Sequence, residues 1–478
     1  MMSHLHRLLP ALLGALVLGA AAAPAATADA PDARPRNVML FISDGASWGS
    51  WRMASFYEHG ELGRQPYDAF SVKLGMTTVP LNTSNTPTHD ATPQVGYDPL
   101  LAWSLRPVDG ATGGRPSHFE GYDYLRLNAT DSAAAATALA SGHKTYNNAV
   151  NHDNFGRALA YATLQAKALG KATGVLSSVP FSHATPAAFG ARNASRHRYA
   201  EISEAMVDNT ALDVLMGGGH PWYDSNGRRR DKPDHTYMSA PAWAAVQGEN
   251  PRRTLIERRE DFEALADGRL KPALPLLGLP QVHDTLQAGR SAALADADPA
   301  MPSGVAFNAG VPTLTTMTRG ALQLLGGHAK GFFMMVEGGA VDWAAHGNDS
   351  ARLIEEQMDF NHAVQAAVHW VGAHGGWDDT LVIVLTDHGN GLPLGPESDR
   401  VAFQPVRNHG RGVLPGVRWH TGSHTNENTL LWAHGAGAAA LYAEVIGTDR
   451  GLVDVVGHNA DGRYLANTGV ARVLMRMR

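Results

Sequence analysis

At 478 residues, 44% hydrophobic and 18% charged, the chain can bury a large core, and its length leaves room for two domains. Its 39 basic and 45 acidic residues leave a net charge of −6 with no basic run, so a nucleic-acid partner has no electrostatic support. Cysteine is absent, which excludes disulfides and thiolate-type zinc; any zinc must be taken by His, Asp or Glu.

In chain order, His4, His6 and Arg7 precede an apolar stretch from Leu8 to Ala23, and Ala26-Thr27-Ala28 follows as a small–x–small cleavage pattern. Residues 1–28 are predicted to be a signal peptide, with the mature chain periplasmic or secreted; Pro24 and the short apolar core argue against an anchor. No later segment is apolar for long enough to cross a bilayer. Arg36-Asn37-Val38-Met39-Leu40-Phe41-Ile42 then runs into Ser43-Asp44-Gly45, the pattern of a strand buried on both faces. It returns at Gly331 to Val336 before Glu337-Gly338-Gly339, at Thr380 to Thr386 before Asp387-His388-Gly389, and more weakly at Ala172 to Ser177. Between the last two strong repeats, Leu353, Ile354, Phe360, Val364, Val368 and Val371 recur at helical spacing, predicting a helix from Ser350 to His374. Strands alternating with helices imply an α/β fold with a central, largely parallel sheet and helices on both faces. Segments 75–121, rich in Pro, Thr, Asn and Gly, and 225–312, with a helical pattern near Arg252 to Leu265, are read as inserts in one domain spanning 29–478.

Ligands of such sheets gather at the carboxyl ends of strands. Three strands here end in acids: Asp44, Glu337 and Asp387. Thr130-Asp131-Ser132 precedes an alanine run that closes at Gly142, which places Asp131 or Ser132 at a helix start. Alone, that pair reads first as an N-cap. A helix start also offers free N–H groups to an anion, and a serine there becomes nucleophilic if a metal takes its proton. Asp342 and His346, four apart, share a helix face; alone they read as a surface ion pair. Asp387-His388 at a strand end, alone an ordinary strand cap, adds a second carboxylate–imidazole set, and oxygen and nitrogen donors of this kind suit zinc and magnesium.

The Thr-Asp-Ser-Ala-Ala segment, its continuation Gly142-His143-Lys144-Thr145-Tyr146-Asn147-Asn148, Glu337 to His346, Asp387-His388 and Ser43-Asp44-Gly45 together resemble the bacterial and animal alkaline phosphatase family. The motifs stand in the family's order from residue 37 to about 440. The resemblance implies an alkaline phosphatase-like fold and a metal-dependent phosphomonoesterase, with Ser132 phosphorylated in turnover. It further implies two zinc ions and one magnesium. Asp342, His346 and a later histidine would hold the first zinc, and Asp44, Asp387 and His388 the second. Asp44, Glu337 and Thr185, in His183-Ala184-Thr185-Pro186-Ala187, would hold the magnesium. Some members carry Asp where this chain has His183, which puts the third ion in question. Trp343 varies in the family too. Of His420 and His424, the family's interval to the strand Leu430-Leu431-Trp432-Ala433-His434-Gly435 selects His424; from His420 the interval is four residues too long. Arg196, thirteen residues after His183, falls at the phosphate-clamping arginine. The resemblance also implies small phosphate monoesters as substrates and a homodimer. A phosphodiesterase or another ester hydrolase on the same scaffold, or a silent metal- or phosphate-binding protein, are the competing readings.

Overall fold

The computed structural model describes residues 33–108, 119–293, 296–457 and 461–478. The predicted signal peptide, residues 1–28, lies outside the described residues. In chain order the strands are β1 (Asn37–Ser43), β2 (Val72–Thr77), β3 (Ala172–Pro180), β4 (Val214–Gly218), β5 (Thr254–Ile256), β6 (Leu276–Gly278), β7 (Phe332–Gly338), β8 (Thr380–Leu385), β9 (Gly389–Asn390), β10 (His424–Thr425), β11 (Thr429–Gly435), β12 (Val445–Thr448) and β13 (Arg463–Ala466). Among the described residues eleven of them form one sheet, in the order β12-β13-β2-β11-β8-β1-β7-β3-β4-β6-β5; β9 and β10 pair separately.

The centre is parallel because its strands return through helices. β8, β1, β7, β3, β4, β6 and β5 all run the same way. β11 enters antiparallel to both β8 and β2, making the sheet mixed. Every residue of β1 is buried, as the continuous apolar run requires. Its side chains alternate between two cores. Met39 and Phe41 pack with Trp48, Met53, Leu314, Met317, Leu353 and Phe360, from the helices Trp48–His59, Leu314–Leu325 and Ser350–Ala373. Val38, Leu40 and Ile42 pack with Ala133, Ala136, Leu139 and Val470, from the helices Ser132–Ser141 and Asn467–Leu474. Both faces of the sheet are thus covered. No helix among the described residues is long and apolar enough to cross a membrane.

The helix Ser350–Ala373 follows the periodicity read from the sequence, opened by Asp349, whose side chain accepts from the Ala351 and Arg352 amides. Near Arg252 the pattern divides: Thr254–Ile256 pairs with β6 as an edge strand and the helix is confined to Arg259–Ala266. Segment 225–312 therefore contributes β5 and β6 to the main sheet, and Gly75 to Thr77 close β2 before the loop-rich stretch begins. Local composition shows neither pairing, because the partner strand lies elsewhere in the chain.

Register is what positions the chemistry. Ile42 stands opposite both Glu337 and Leu385, and Ser177 opposite Glu337. Asp44 and Asp387 each lie two residues beyond that level, so all three strand-end acids emerge at one edge.

Candidate metal centre and nucleophile

Ser132 is the first residue of the helix Ser132–Ser141. Asp131 is the N-cap, its Oδ1 accepting from the Ala134 amide at 2.9 Å, and Gly142 closes the helix at φ 78°. The bland and the functional readings of this segment thus fall on different residues: Asp131 caps, leaving the Ser132 hydroxyl for other work. That hydroxyl is buried, with Oγ 3.0 Å from His388 Nε2.

Two donor clusters meet there. In one, Asp342 Oδ2 lies 3.4 Å from His346 Nε2 and Asp342 Oδ1 lies 3.4 Å from His424 Nε2, while the two imidazole Nε2 atoms are 3.2 Å apart. The far nitrogens face carbonyls: His346 Nδ1 lies 2.9 Å from Gly422 O and His424 Nδ1 lies 2.8 Å from Thr130 O. A carbonyl only accepts, so each Nδ1 carries a hydrogen and neutral rings point two lone pairs at each other. Such a contact needs a proton or a cation between the nitrogens. In the second cluster His388 Nε2 lies 3.3 Å from both Asp44 Oδ1 and Asp387 Oδ2, and both of those oxygens are buried without a hydrogen-bond partner. The clusters adjoin, with the His388 and His424 rings stacked at 3.7 Å.

Behind Asp44, Thr185 Oγ1 donates to its Oδ2 at 3.4 Å. Glu337 Oε2 accepts a short hydrogen bond from Ser177 Oγ, while Glu337 Oε1 is buried and unpartnered. Electrostatics tell the same story. Burial, then Asp387, Asp342 and Glu337, raise the Asp44 carboxyl well above its usual range. Burial, followed by Asp342, pushes Asp387 up to about 7; Glu337 is pushed up to about 7 by burial, with Asp387 adding to it. Burial also pulls the His388 imidazole well down. Unpaired buried carboxylates are costly, and oxygen and imidazole donors gathered in this way suit cations of the hard or borderline kind. The residues present fit the zinc and magnesium that the family resemblance implies.

Arg196 donates from Nη1 to Asp131 Oδ2 at 3.0 Å, so the residue that caps the serine helix also holds the arginine. Ser132, Arg196, His183, Asp342, His346 and His424 line one cavity of about 350 Å³, with Trp343 at its border. His183 reaches Trp343 edge-on at 5.6 Å; burial and the nearby Arg196 push it down to about 3, and its Nδ1 is buried without a partner. His420 stands apart, with Nε2 2.7 Å from Ser398 Oγ and its ring against Tyr122. The structure therefore brings together Asp44, Ser132, Thr185, Arg196, Glu337, Asp342, His346, Asp387, His388 and His424, and leaves His420 out.

Two supporting features were not legible in sequence. Gly45 sits at φ 68°, and a Cβ there would come within 2.6 Å of Asp342 Oδ1; only glycine lets β1 turn so close to that carboxylate. Asn390 Nδ2 donates to Asp342 Oδ1 at 2.7 Å, and its backbone is tied to Ser47, with Asn390 N donating to Ser47 Oγ at 3.0 Å. The only sequence signal for Asn390 is its place two residues after Asp387-His388. Since it orients the carboxylate that both histidines face, Asn390→Ala should weaken divalent-ion binding about 10–100-fold in a chelator-competition titration. Unchanged affinity would show Asp342 to be held by the histidines alone.

Fold and site together define a class: a doubly wound α/β protein with a paired candidate metal centre at the carboxyl ends of its central strands. The family model described as alkaline phosphatase matches residues 122–414. The chain belongs to the alkaline phosphatase family, whose members depend on metal. Alkaline phosphatase 4 of Bacillus subtilis (strain 168) is 34% identical over 292 residues, 59% of this chain and 53% of that protein. The match thus spans about half the length of that relative. Alkaline phosphatase of Escherichia coli (strain K12) is 28% identical over 351 residues, 67% of this chain and 72% of that protein. The structure of alkaline phosphatase from the Antarctic bacterium TAB5 shares the fold, with TM-score 0.58 and 22% identity over 92% of this chain and 97% of that one. Asp44 and His424 lie outside residues 122–414, and it is the folded chain that brings them to the others.

Proposed function

We propose that the chain is an exported, metal-dependent phosphomonoesterase that passes the phosphoryl group of a small phosphate monoester to Ser132 and then to water. The observation that carries this reading is the buried Ser132 hydroxyl, 3.0 Å from His388 Nε2, set between two carboxylate–imidazole clusters. In this reading Asp342, His346 and His424 hold one zinc, Asp44, Asp387 and His388 a second, and Asp44, Glu337 and Thr185 a magnesium. When bound, these cations would lower the pKa of the attacking oxygens and neutralise charge on the transferring group.

The chain's own residues do the rest. Ser132 Oγ stands beside the Asp44–Asp387–His388 group, and the helix start turns its unpaired first-turn N–H groups toward the anion. Arg196, fastened to Asp131, presents its remaining donors as a fork for two phosphate oxygens. In-line attack by Ser132 sends the leaving oxygen to the opposite side, and the Asp342–His346–His424 group shares the cavity there. The bond to the alcohol breaks as the Ser132–phosphorus bond forms, and water later breaks the latter to give inorganic phosphate. The same reading takes residues 29–478 as one catalytic domain elaborated at 75–121 and 225–312, released to the periplasm or beyond as a homodimer.

The decisive assay compares an aryl phosphate with a bis-aryl phosphodiester and an aryl sulfate. The monoester should be turned over fastest; a preference for diester or sulfate would transfer the scaffold to another esterase chemistry. Because the donors of Arg196 that Asp131 leaves over serve the phosphate in this reading, Arg196→Ala should raise KM and the inhibition constant of inorganic phosphate together, by about 10–100-fold, with a smaller fall in kcat. A variant whose phosphate inhibition is unchanged would remove Arg196 from the site.

A further inference from the structure

A second cavity of about 420 Å³, bordered by Asp123, Arg126, Leu127, Thr421, Ser423 and His424, shares His424 with the space over Ser132, and its volume is within the range of small-molecule sites. Its walls are fastened to the strand that carries His424. Asn426 N donates to Leu125 O at 2.8 Å, and Asn426 Nδ2 donates to Leu127 O at 2.7 Å and Tyr124 O at 3.2 Å. His424 Nδ1 holds Thr130 O at 2.8 Å. The helix Glu120–Leu125 and the chain after it therefore cannot move away from His424 without breaking all of these bonds.

The wall chemistry is specific. Arg126 Nη1 stands 3.7 Å from Asp123 Oδ1, an ion pair too long to be a hydrogen bond. A guanidinium offers five N–H donors, so this contact leaves most of Arg126 for a ligand. Asp123 accepts hydroxyl donors, and Thr421 and Ser423 add two hydroxyls of their own. One cation, one acceptor carboxylate and two hydroxyls match an alcohol that is itself hydroxylated and carries a negative group.

We propose that this second cavity is the leaving-group subsite, selecting phosphate monoesters whose alcohol bears hydroxyls and a distal anionic group set against Arg126. The proposal rests on the phosphomonoesterase reading. In-line transfer to Ser132 places the departing alcohol on the far side of phosphorus, and an alcohol leaving beside Asp342, His346 and His424 has this cavity to extend into.

The test uses phenyl phosphate, 3-(carboxymethyl)phenyl phosphate and 3-(aminomethyl)phenyl phosphate, which share a reacting centre and differ in distal charge. The wild-type chain should favour the carboxymethyl over the aminomethyl substrate in kcat/KM by about tenfold, a preference compressed by about 0.5 M salt because the subsite is open to solvent. Arg126→Ala should cut that ratio about fivefold, Arg126→Lys should keep most of it, and Asp123→Asn should widen it. A ratio that ignores residue 126, or favours the aminomethyl substrate, overturns the subsite while turnover of phenyl phosphate upholds the phosphatase reading. If none of the three is hydrolysed, the phosphatase reading itself falls and the subsite with it.

Discussion

Ser132→Ala, fully loaded with metal, should retain no more than roughly a thousandth of wild-type turnover on an aryl phosphate, since a covalent route cannot proceed without its nucleophile. The structure makes this a clean experiment. The helix cap belongs to Asp131, the Ser132 hydroxyl meets the His388 imidazole rather than a group that holds the helix, and alanine is the best helix former. Losing the hydroxyl therefore removes chemistry and leaves the helix intact. Thermal stability and metal stoichiometry should match the wild type while turnover collapses and acid-quenched phosphoenzyme disappears. Near-full turnover in the variant would mean that water attacks phosphorus directly and that Ser132 is a bystander.

Chelation should have an effect of similar size, abolishing turnover and lowering the melting temperature, both restored by zinc with magnesium. Asp44, Glu337, Asp342 and Asp387 are buried in one site, and without cations the charge must be relieved by protons. The direction with pH follows. Asp387 and Glu337, ordinarily 3.8 and 4.5, are pushed up to about 7, and Asp44 is raised as well. The folded chain then binds protons that the unfolded chain has released, so these groups favour folding most at low pH and lose that contribution as pH climbs from about 4 to about 7. His424 acts in the same direction: burial pulls it down, but Asp342 and its hydrogen bonds leave it raised. Asp342 is the exception. Burial pushes it up, yet His424, His388 and His346 hold it well below the carboxylate range, and its contribution is lost only in acid. The chelated protein should accordingly melt lower at pH 8 than at pH 5, and the metal-loaded protein should not. A chelated protein as stable at pH 8 as at pH 5 would show that the acids do not face one another in solution.

Much of this site was legible in the chain because local grammar carried it. An apolar run followed by an acid marks a buried strand delivering a carboxylate to a sheet edge, and that rule placed Asp44, Glu337 and Asp387 together. The alanine run located the serine helix, and spacing put Asp342 and His346 on one helix. Other features had no local signature. β5 and β6 are three residues each and exist as strands because they pair with each other and with β4. Asn390 reads as an ordinary turn residue until Asp342 is seen against it, and nothing near Arg126 announces a cavity shared with a histidine some three hundred residues away.

By itself, then, the amino-acid order determined which side chains are available for chemistry and which strands and helices carry them, since hydrophobic period and capping act over a few residues. Tertiary structure alone decided the distances: the 3.2 Å between His346 and His424 nitrogens and the 3.0 Å from Ser132 to His388. Those separations depend on strand register and on the long return from β8 to its antiparallel neighbour β11, set by burial summed over the whole sheet, which no short window of sequence contains.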